Sequence, residues 1–593
     1  MLHLFSGKLP ADAKAAAEVS HEILTATKLL QLKLCSTTNV TPNTFMSFLE
    51  HQVIRIHDPR YCKPVSVSCS SSKYRSMDGT CNNLARPGWG RKGAPFTRIA
   101  APRYADGIYA MPVARSGRPL PNPRALSTRL FADQPIASYA MSSMNMQWGQ
   151  FITHDLMFHA METTDEGGIQ CCLGNGADML PPELQNDKCI PICVPDDDPF
   201  YRYYGIRCLT FVRSVTTPRE DCRLGHAEQM NTVTSFLDGS HIYGTDPSAA
   251  KKLRTLSGGK LKEETRKHCQ RGFLPTVDVK SDVCDLRNSS EPCYLAEHNR
   301  IATILGSLNP MWSDEKIYQE ARRIVIAELQ HITYQEWLPL NFGENYFRYY
   351  RISPSSLYSR DYSDAVHPGV INSFGHAAFR LSDHYFNPSL LETYPDSFDD
   401  IVRGILAQPA AESDPYMTGQ ITNLLFKSCN PWGLDLIAMD IQRGRDHGLA
   451  SYNDYSLESD KLGIRRRRNQ RTVNHKFNWL VVPTRRINAL AQFYECVDDI
   501  DLFVGGSLES DVPGSILGHT FQCIVAEQFY RTRVGDRFFY DNIEQPHSFT
   551  SGKPVRRAFE TESPYNPKYS CDDFQAIPYV DLTPWRRPVF DYD

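Results

Sequence analysis

The sequence predicts a mainly α-helical protein with long, disulfide-pinned loops and little β structure. Three observations carry that prediction. Several long segments place apolar residues at three-and-four spacing, the signature of a helix with one buried face. Few segments alternate apolar and polar residues as a half-buried strand would. The cysteines cluster within stretches rich in Gly, Pro, Ser and Arg, where cystines pin irregular chain.

In chain order, residues 11–34, "ADAKAAAEVSHEILTATKLLQLKL", combine strong helix formers with helical apolar spacing. They precede the first cysteine and read as a helical pro-segment, so residues 1–61 are expected to form an N-terminal extension and 62–593 the main domain. From about 62 to 125 the chain is irregular ("MDGTCNN", "RPGWG", "SGRPLPNPR"), and 165–225 is a second cysteine-rich excursion. Further helices are expected in "EHNRIATILGSL", in "SDEKIYQEARRIVIAELQHITYQEWLPL" capped by Ser313, in "PWGLDLIAMDIQRGRDHG" and in "ILGHTFQCIVAEQFYRTRVGD". The run Arg465–Arg468 reads as a solvated loop.

The 593 residues carry a net charge of −4, which gives no basic field for nucleic acid. No apolar run reaches the roughly 18 residues of a spanning helix, so no transmembrane segment is expected. Seventeen cysteines, none in CxxC pairs, favour disulfides over zinc and a secreted protein over a cytosolic one. Because seventeen is odd, one thiol at least is free or pairs between chains, and a disulfide-linked dimer is one outcome. Sequons at Asn39 and Asn288 agree with secretion, whereas "MLHLFSGKLP" lacks a signal-peptide core, so a truncated or processed start is expected.

Two short motifs carry chemistry. In "MQWGQFITHD", read as a helix, Gln150 and His154 share a face, and Asp155 points about 100° away. An imidazole beside a carboxamide thus faces one site and a carboxylate another. In "TSFLDGSHIYG", an extended loop would present Thr234, Phe236, Asp238 and Ser240 on one side. Hydroxyls, a carboxylate and a backbone carbonyl are the hard oxygens that Ca²⁺ prefers, and Asp155 adds a second carboxylate. The competing reading is a hydroxyl-rich turn with an Asx cap.

The motifs "YRSMDGTCNN", "SGRPLPNPR", "MQWGQFITHD", "TSFLDGSHIYG", "EHNRIATILGSLNPMW", "EARRIVIAELQHITYQEWLP", "QRGRDHG" and "VDDIDLFVGG" occur in order between about Tyr74 and Asn566. Together they resemble the animal haem peroxidases of the myeloperoxidase and peroxidasin kind. The resemblance implies that fold and haem b (iron protoporphyrin IX) as cofactor, with His154 as the distal histidine and Gln150 as the glutamine that orders water or halide. It implies Ca²⁺ held by Asp155, Thr234, Phe236, Asp238 and Ser240. It also places Asp440 where the family has an asparagine that accepts the proximal histidine's Nδ1–H. An aspartate there should make that imidazole more imidazolate-like and lower the iron potential. Arg443 resembles an arginine that pairs with a haem propionate.

Three departures from the family pattern bear on the site. Thr153 stands where the family has an aspartate ester-linked to haem, and a hydroxyl cannot form that ester, so the link is expected to be absent. Arg287 resembles the distal arginine, yet it lies in "CDLRNSSEPC", which also reads as a surface loop closed by Cys284 and Cys293. In "NSFGHAAFRLSDHYFNP" the proximal motifs are crowded together, leaving His376 as the expected iron ligand and His384 as the alternative.

The expected activity is therefore a secreted, haem-dependent peroxidase. H₂O₂ would be its oxidant, with phenols or tyrosyl side chains as donors and halide as a further candidate. The rival is a catalytically impaired scaffold of the same fold that keeps calcium but not haem. A cysteine-rich adhesion module explains the disulfides but not the motifs.

Overall fold

The helix Asp314–His331 shows how local sequence builds this core. Ser313 Oγ accepts the Lys316 N–H at 3.3 Å, and Asp314 and Glu315 place negative charge at the positive helix end. Its apolar stripe then buries Ile317, Ala321, Ile324, Val325 and Leu329, each worth about 1.5–3 kcal/mol for a full-sized side chain. The computed structural model describes residues 9–263, 291–380, 405–461 and 482–545, apart from short breaks near 39–40, 52–66, 135, 166, 344–357, 413 and 428–429.

The longer helices among these are Ala11–Thr38, Pro42–His51, Pro123–Leu130, Ser143–Leu156, Glu291–Leu308, Asp314–His331, Leu436–Asp446, Tyr452–Lys461 and His519–Val534. The chain is mainly α, as its periodicity predicts. The described strands are short: Ala137–Ser142 pairs with Pro409–Ala411, and the other ladders are two residues on each side. The 11–34 helix continues to Thr38. It lies against the main body, with Ala13 and Ala17 on Val215 and Met230, and Leu24 beside Tyr104 and Ala227.

Cystines replace regular structure where helices are lacking. Cys69–Cys81 closes the first irregular stretch, and Cys171–Cys189 and Cys172–Cys208 hold the second. Cys222 is also disulfide-bonded, whereas Cys35, Cys193 and Cys496 are free thiols.

One helix is fastened with unusual care. Ser143–Leu156 buries Trp148, Phe151, Ile152 and Asp155. Asn145 and Asn341 exchange side-chain hydrogen bonds of 2.8 and 2.9 Å, and Trp337 Nε1 donates to the Asn145 carbonyl at 3.0 Å. Trp337 ends a π-helical turn, Ile332–Trp337, and a second such turn, Phe374–Ala378, packs against His519–Val534. π turns are rare and concentrate at functional sites.

A buried charged node sets the helix Leu436–Asp446. Arg124, 1% exposed, donates to Asp198 at 2.6 Å and to Asp435 at 2.7 Å. Asp435 in turn caps that helix by accepting the Ala438 N–H at 3.0 Å.

Candidate active site

Along Ser143–Leu156, Gln147, Gln150, Thr153 and His154 form the half-buried stripe opposite the fully buried residues. Gln147 Nε2 lies 3.5 Å from Gln150 Oε1, and the Thr153 hydroxyl turns back to the Gly149 carbonyl at 2.8 Å. The His154 imidazole is pushed down to about 4, first by burial and then by nearby His241 and Arg380. It is therefore neutral at physiological pH and able to accept a proton.

Asp155 points the other way and is fully buried. Its carboxylate accepts the backbone N–H of Gly239 at 3.0 Å and of Ser240 at 2.6 Å, and the Ser240 hydroxyl lies 3.0 Å from it. Gly239 makes this approach with φ +68°, which favours glycine. Thr234 Oγ1 donates to Asp238 Oδ1 at 2.8 Å. The Asp238 carboxyl is pushed up to about 7 by burial and by the charge of Asp155. Two buried carboxylates that repel each other, ringed by hydroxyls, fit a hard cation. Phe236 is buried in the same segment. Among the described residues no group of three or more His, Cys, Asp or Glu is arranged to hold a metal, so a cation here would draw on hydroxyl and carbonyl oxygens.

The expected proximal residues lie in a cluster that local spacing does not reveal. His376 is fully buried on the Phe374–Ala378 turn. Its Nδ1 is 3.1 Å from the Asn372 carbonyl, which can only accept, so Nδ1 carries the proton. Its Nε2 is thus the acceptor for His159 Nδ1 at 3.2 Å. His447 lies 3.9 Å away between ring centroids, with Nδ1 donating to Asn372 Oδ1 at 2.8 Å and Nε2 accepting from Ser214 Oγ at 2.7 Å. Burial holds all three imidazoles well below the usual histidine range. Neighbouring groups add to this: Arg380 for His376, Arg443 for His159, and for His447 the other two imidazoles, since a proton on one ring disfavours a proton on the next.

Asp440 was expected to take the His376 Nδ1–H. That proton instead returns one turn to Asn372, and Asp440 Oδ1 lies 3.6 Å from Arg380 Nε. Arg443 donates to Val212 O and Ser214 Oγ, both at 2.9 Å, and pairs with Asp446 at 3.1 Å. Arg287 and His384 lie outside the described residues, as do the sequons at Asn39 and Asn288.

The structure adds four residues to those the sequence singled out. His159 and His447 join His376. Arg380 acts electrostatically on His154, His159 and His376 alike, which places its charge within reach of both groups. His241 stands 3.2 Å from Asp155 and near His154. His241, Arg380 and His447 sit inside motifs already quoted, whereas His159 carried no local signal.

Three features of these residues bear on a haem group. The neutral imidazole of His154 suits a distal base. Arg443 and Arg380 are half-buried or buried cations suited to carboxylate groups. His376 would hold the iron only once its Nε2 is released from His159.

Comparison with known proteins follows the same division. The family model for animal haem peroxidase matches residues 74–382 and 379–555. The two matches meet where the proximal motifs are crowded. A peroxidase of Drosophila melanogaster is 35% identical, covering 88% of this chain and 84% of its own length. A lactoperoxidase of Mesocricetus auratus is 32% identical over 88% and 82%. Among solved structures, peroxidase A from Dictyostelium discoideum superposes with a TM-score of 0.63 at 27% identity, covering 80% of this chain and 94% of that one. A fatty acid alpha-dioxygenase of Arabidopsis thaliana, at 16% identity and TM-score 0.60 over 95% and 91%, shares the fold. With its motifs in order, its helices in place and a family match over most of its length, the chain belongs to the animal haem peroxidase family.

Proposed function

We propose that this peroxidase is a secreted, haem-dependent enzyme that uses H₂O₂ to oxidise phenolic or tyrosyl donors. One observation carries the reading: a half-buried, neutral His154 stands one turn from Gln150, on a helix clamped at Asp155. Bound haem supplies the iron centre that peroxide oxidises and that organic donors then reduce by single electrons. The chain's own part is proton handling. His154 takes the proton from the near oxygen of H₂O₂ and returns it to the far oxygen, which leaves as water. Gln150 orders the peroxide, and Arg287, if it enters the pocket, polarises the O–O bond. His376 or His384 would hold the iron, with Arg443 and Arg380 toward the propionates. Halide oxidation is the secondary activity of the same pocket.

The disulfide-bonded cysteines support an oxidising compartment and hence secretion. No described helix is long and apolar enough to cross a membrane.

The test is a visible spectrum of the purified full chain expressed with added haem. A Soret band together with H₂O₂-dependent guaiacol oxidation is the expected result. Its absence would favour the calcium-bearing scaffold. Loss of the band in His384→Ala but not in His376→Ala would assign the ligand to His384. Acidic solvent should extract the haem completely, because Thr153 cannot form the ester.

Two further outcomes follow from the site. Activity limited by His154 should hold from neutral pH down to about 5. It should fall as pH drops through about 4, where the imidazole takes up a proton and can no longer accept one. A pH–rate profile checks this; a loss centred near pH 6.5 would contradict it. Chelation should lower the melting temperature, and Ca²⁺ should restore it in the wild type but not in Asp155→Ala.

A further inference from the structure

A half-open pocket lies away from the histidines, between the helix Asp314–His331, the stretch Lys73–Arg75 and the segment Phe538–Tyr540. Its cavity volume is about 30 Å³, room for about two water molecules. Arg322 lines it and is 3% exposed. Its Nη1 and Nη2 donate to the carbonyl oxygens of Arg75 at 3.2 Å and Ser76 at 3.4 Å. Its Nε is buried and has no hydrogen-bond partner among the described residues.

Among the described residues no carboxylate pairs directly with Arg322. Arg75, also lining the pocket, spends its guanidinium on Asp536, at 2.8 and 2.6 Å. Lys73 and Arg323 both pair with the same carboxylate, Glu320. The Lys73 ammonium is held below the usual lysine range, chiefly by burial, with Arg323 and Lys316 adding repulsion. Asp238 feels Arg322 through space but takes its hydrogen bond from Thr234. A buried guanidinium held by neutral carbonyls, beside crowded cations, calls for a counter-ion. The apolar walls, Ile326, Ala327 and Phe538 among them, lower the local dielectric and strengthen any charge pair formed there.

We propose that this pocket binds one small inorganic anion of halide size, with Arg322 as its main partner and Lys73 and Arg323 at its rim. The accessible space of about 30 Å³ suits a monatomic anion. The site differs from any halide position beside His154: it lies on other elements and uses other residues.

The test uses the full chain at constant ionic strength, with sodium gluconate replaced stepwise by sodium bromide. Bromide should raise the melting temperature saturably in the wild type. Crystals soaked in bromide should show an anomalous peak in contact with the Arg322 guanidinium. In Arg322→Gln the apparent dissociation constant should rise by about tenfold or more. Arg323→Gln, which alters a rim charge, should weaken binding by a smaller factor and serves if Arg322→Gln does not fold. The proposal is overturned if bromide and gluconate give equal melting temperatures, or if the pocket holds water alone in the soaked crystal. It is also overturned if sulfate stabilises more than bromide and loses that effect in the same variants, because the occupant would then be a larger oxyanion.

Discussion

His154→Ala should slow the reaction with H₂O₂ by about 10²–10⁴-fold, the range over which a positioned acid–base group contributes. Stopped-flow measurement of the peroxide step should show the loss in the second-order rate constant, while the Soret band of the resting protein is retained. The reasoning rests on where the imidazole stands. Burial, with His241 and the Arg380 guanidinium nearby, keeps it neutral, so it is in the proton-accepting form before peroxide arrives. The helix that carries it is immobilised by the Asn145–Asn341 pair, by Trp337 and by the backbone contacts of Asp155. Alanine removes the base and leaves that frame untouched. Added imidazole should restore part of the rate by entering the vacated space. A variant within a factor of about three of wild type would mean that another group handles the proton, below the smallest effect of a true general base.

Arg124→Ala should cost about 3–5 kcal/mol of stability, the cost of breaking a buried ion pair by removing one partner. Asp198 and Asp435 would be left buried and uncompensated, since both side chains are about 1% exposed or less. The guanidinium also hydrogen-bonds the Thr422 carbonyl and Asn423, and it lies over the Tyr201 ring, so several loops lose a common anchor. Arg129→Ala is the matched control. Its pair with Asp197 is well exposed on both sides, and such pairs contribute little in water. Chemical denaturation of the two variants should therefore separate clearly. A loss below about 1 kcal/mol for Arg124→Ala would show that the two carboxylates find other partners or take up protons.

What could be read before the structure was known divides along a physical line. Local periodicity reported helices and caps: Ser313 starts its helix, and the 11–34 pattern is helical with an end four residues later. The opposed directions of His154 and Asp155 also followed from helix geometry alone, and the Asp155–Gly239–Ser240 contacts fall on the motif that the sequence marked. The histidine cluster was not legible. His159 and His376 are 217 positions apart, and nothing in the spacing around either announces the other. Asp440 could be matched to a family position, but its proximity to Arg380 depends on how the turn at Phe374–Ala378 packs. The partner of a buried charge is set by tertiary structure, and sequence reports that only through a motif that happens to contain both ends.

The packing of Ala11–Thr38 has a consequence for processing. Its alanine and leucine face is seated on Val215, Met230, Tyr104 and Ala227, Gln31 bonds the Asp106 carbonyl at 2.8 Å, and Thr27 is fully buried. A protease that cut the chain beyond His51 would sever the connection without dissociating the pieces. The nicked molecule would travel as one particle in a native gel and separate into two bands only after denaturation, so cutting the chain there and losing the helix would be two distinct events.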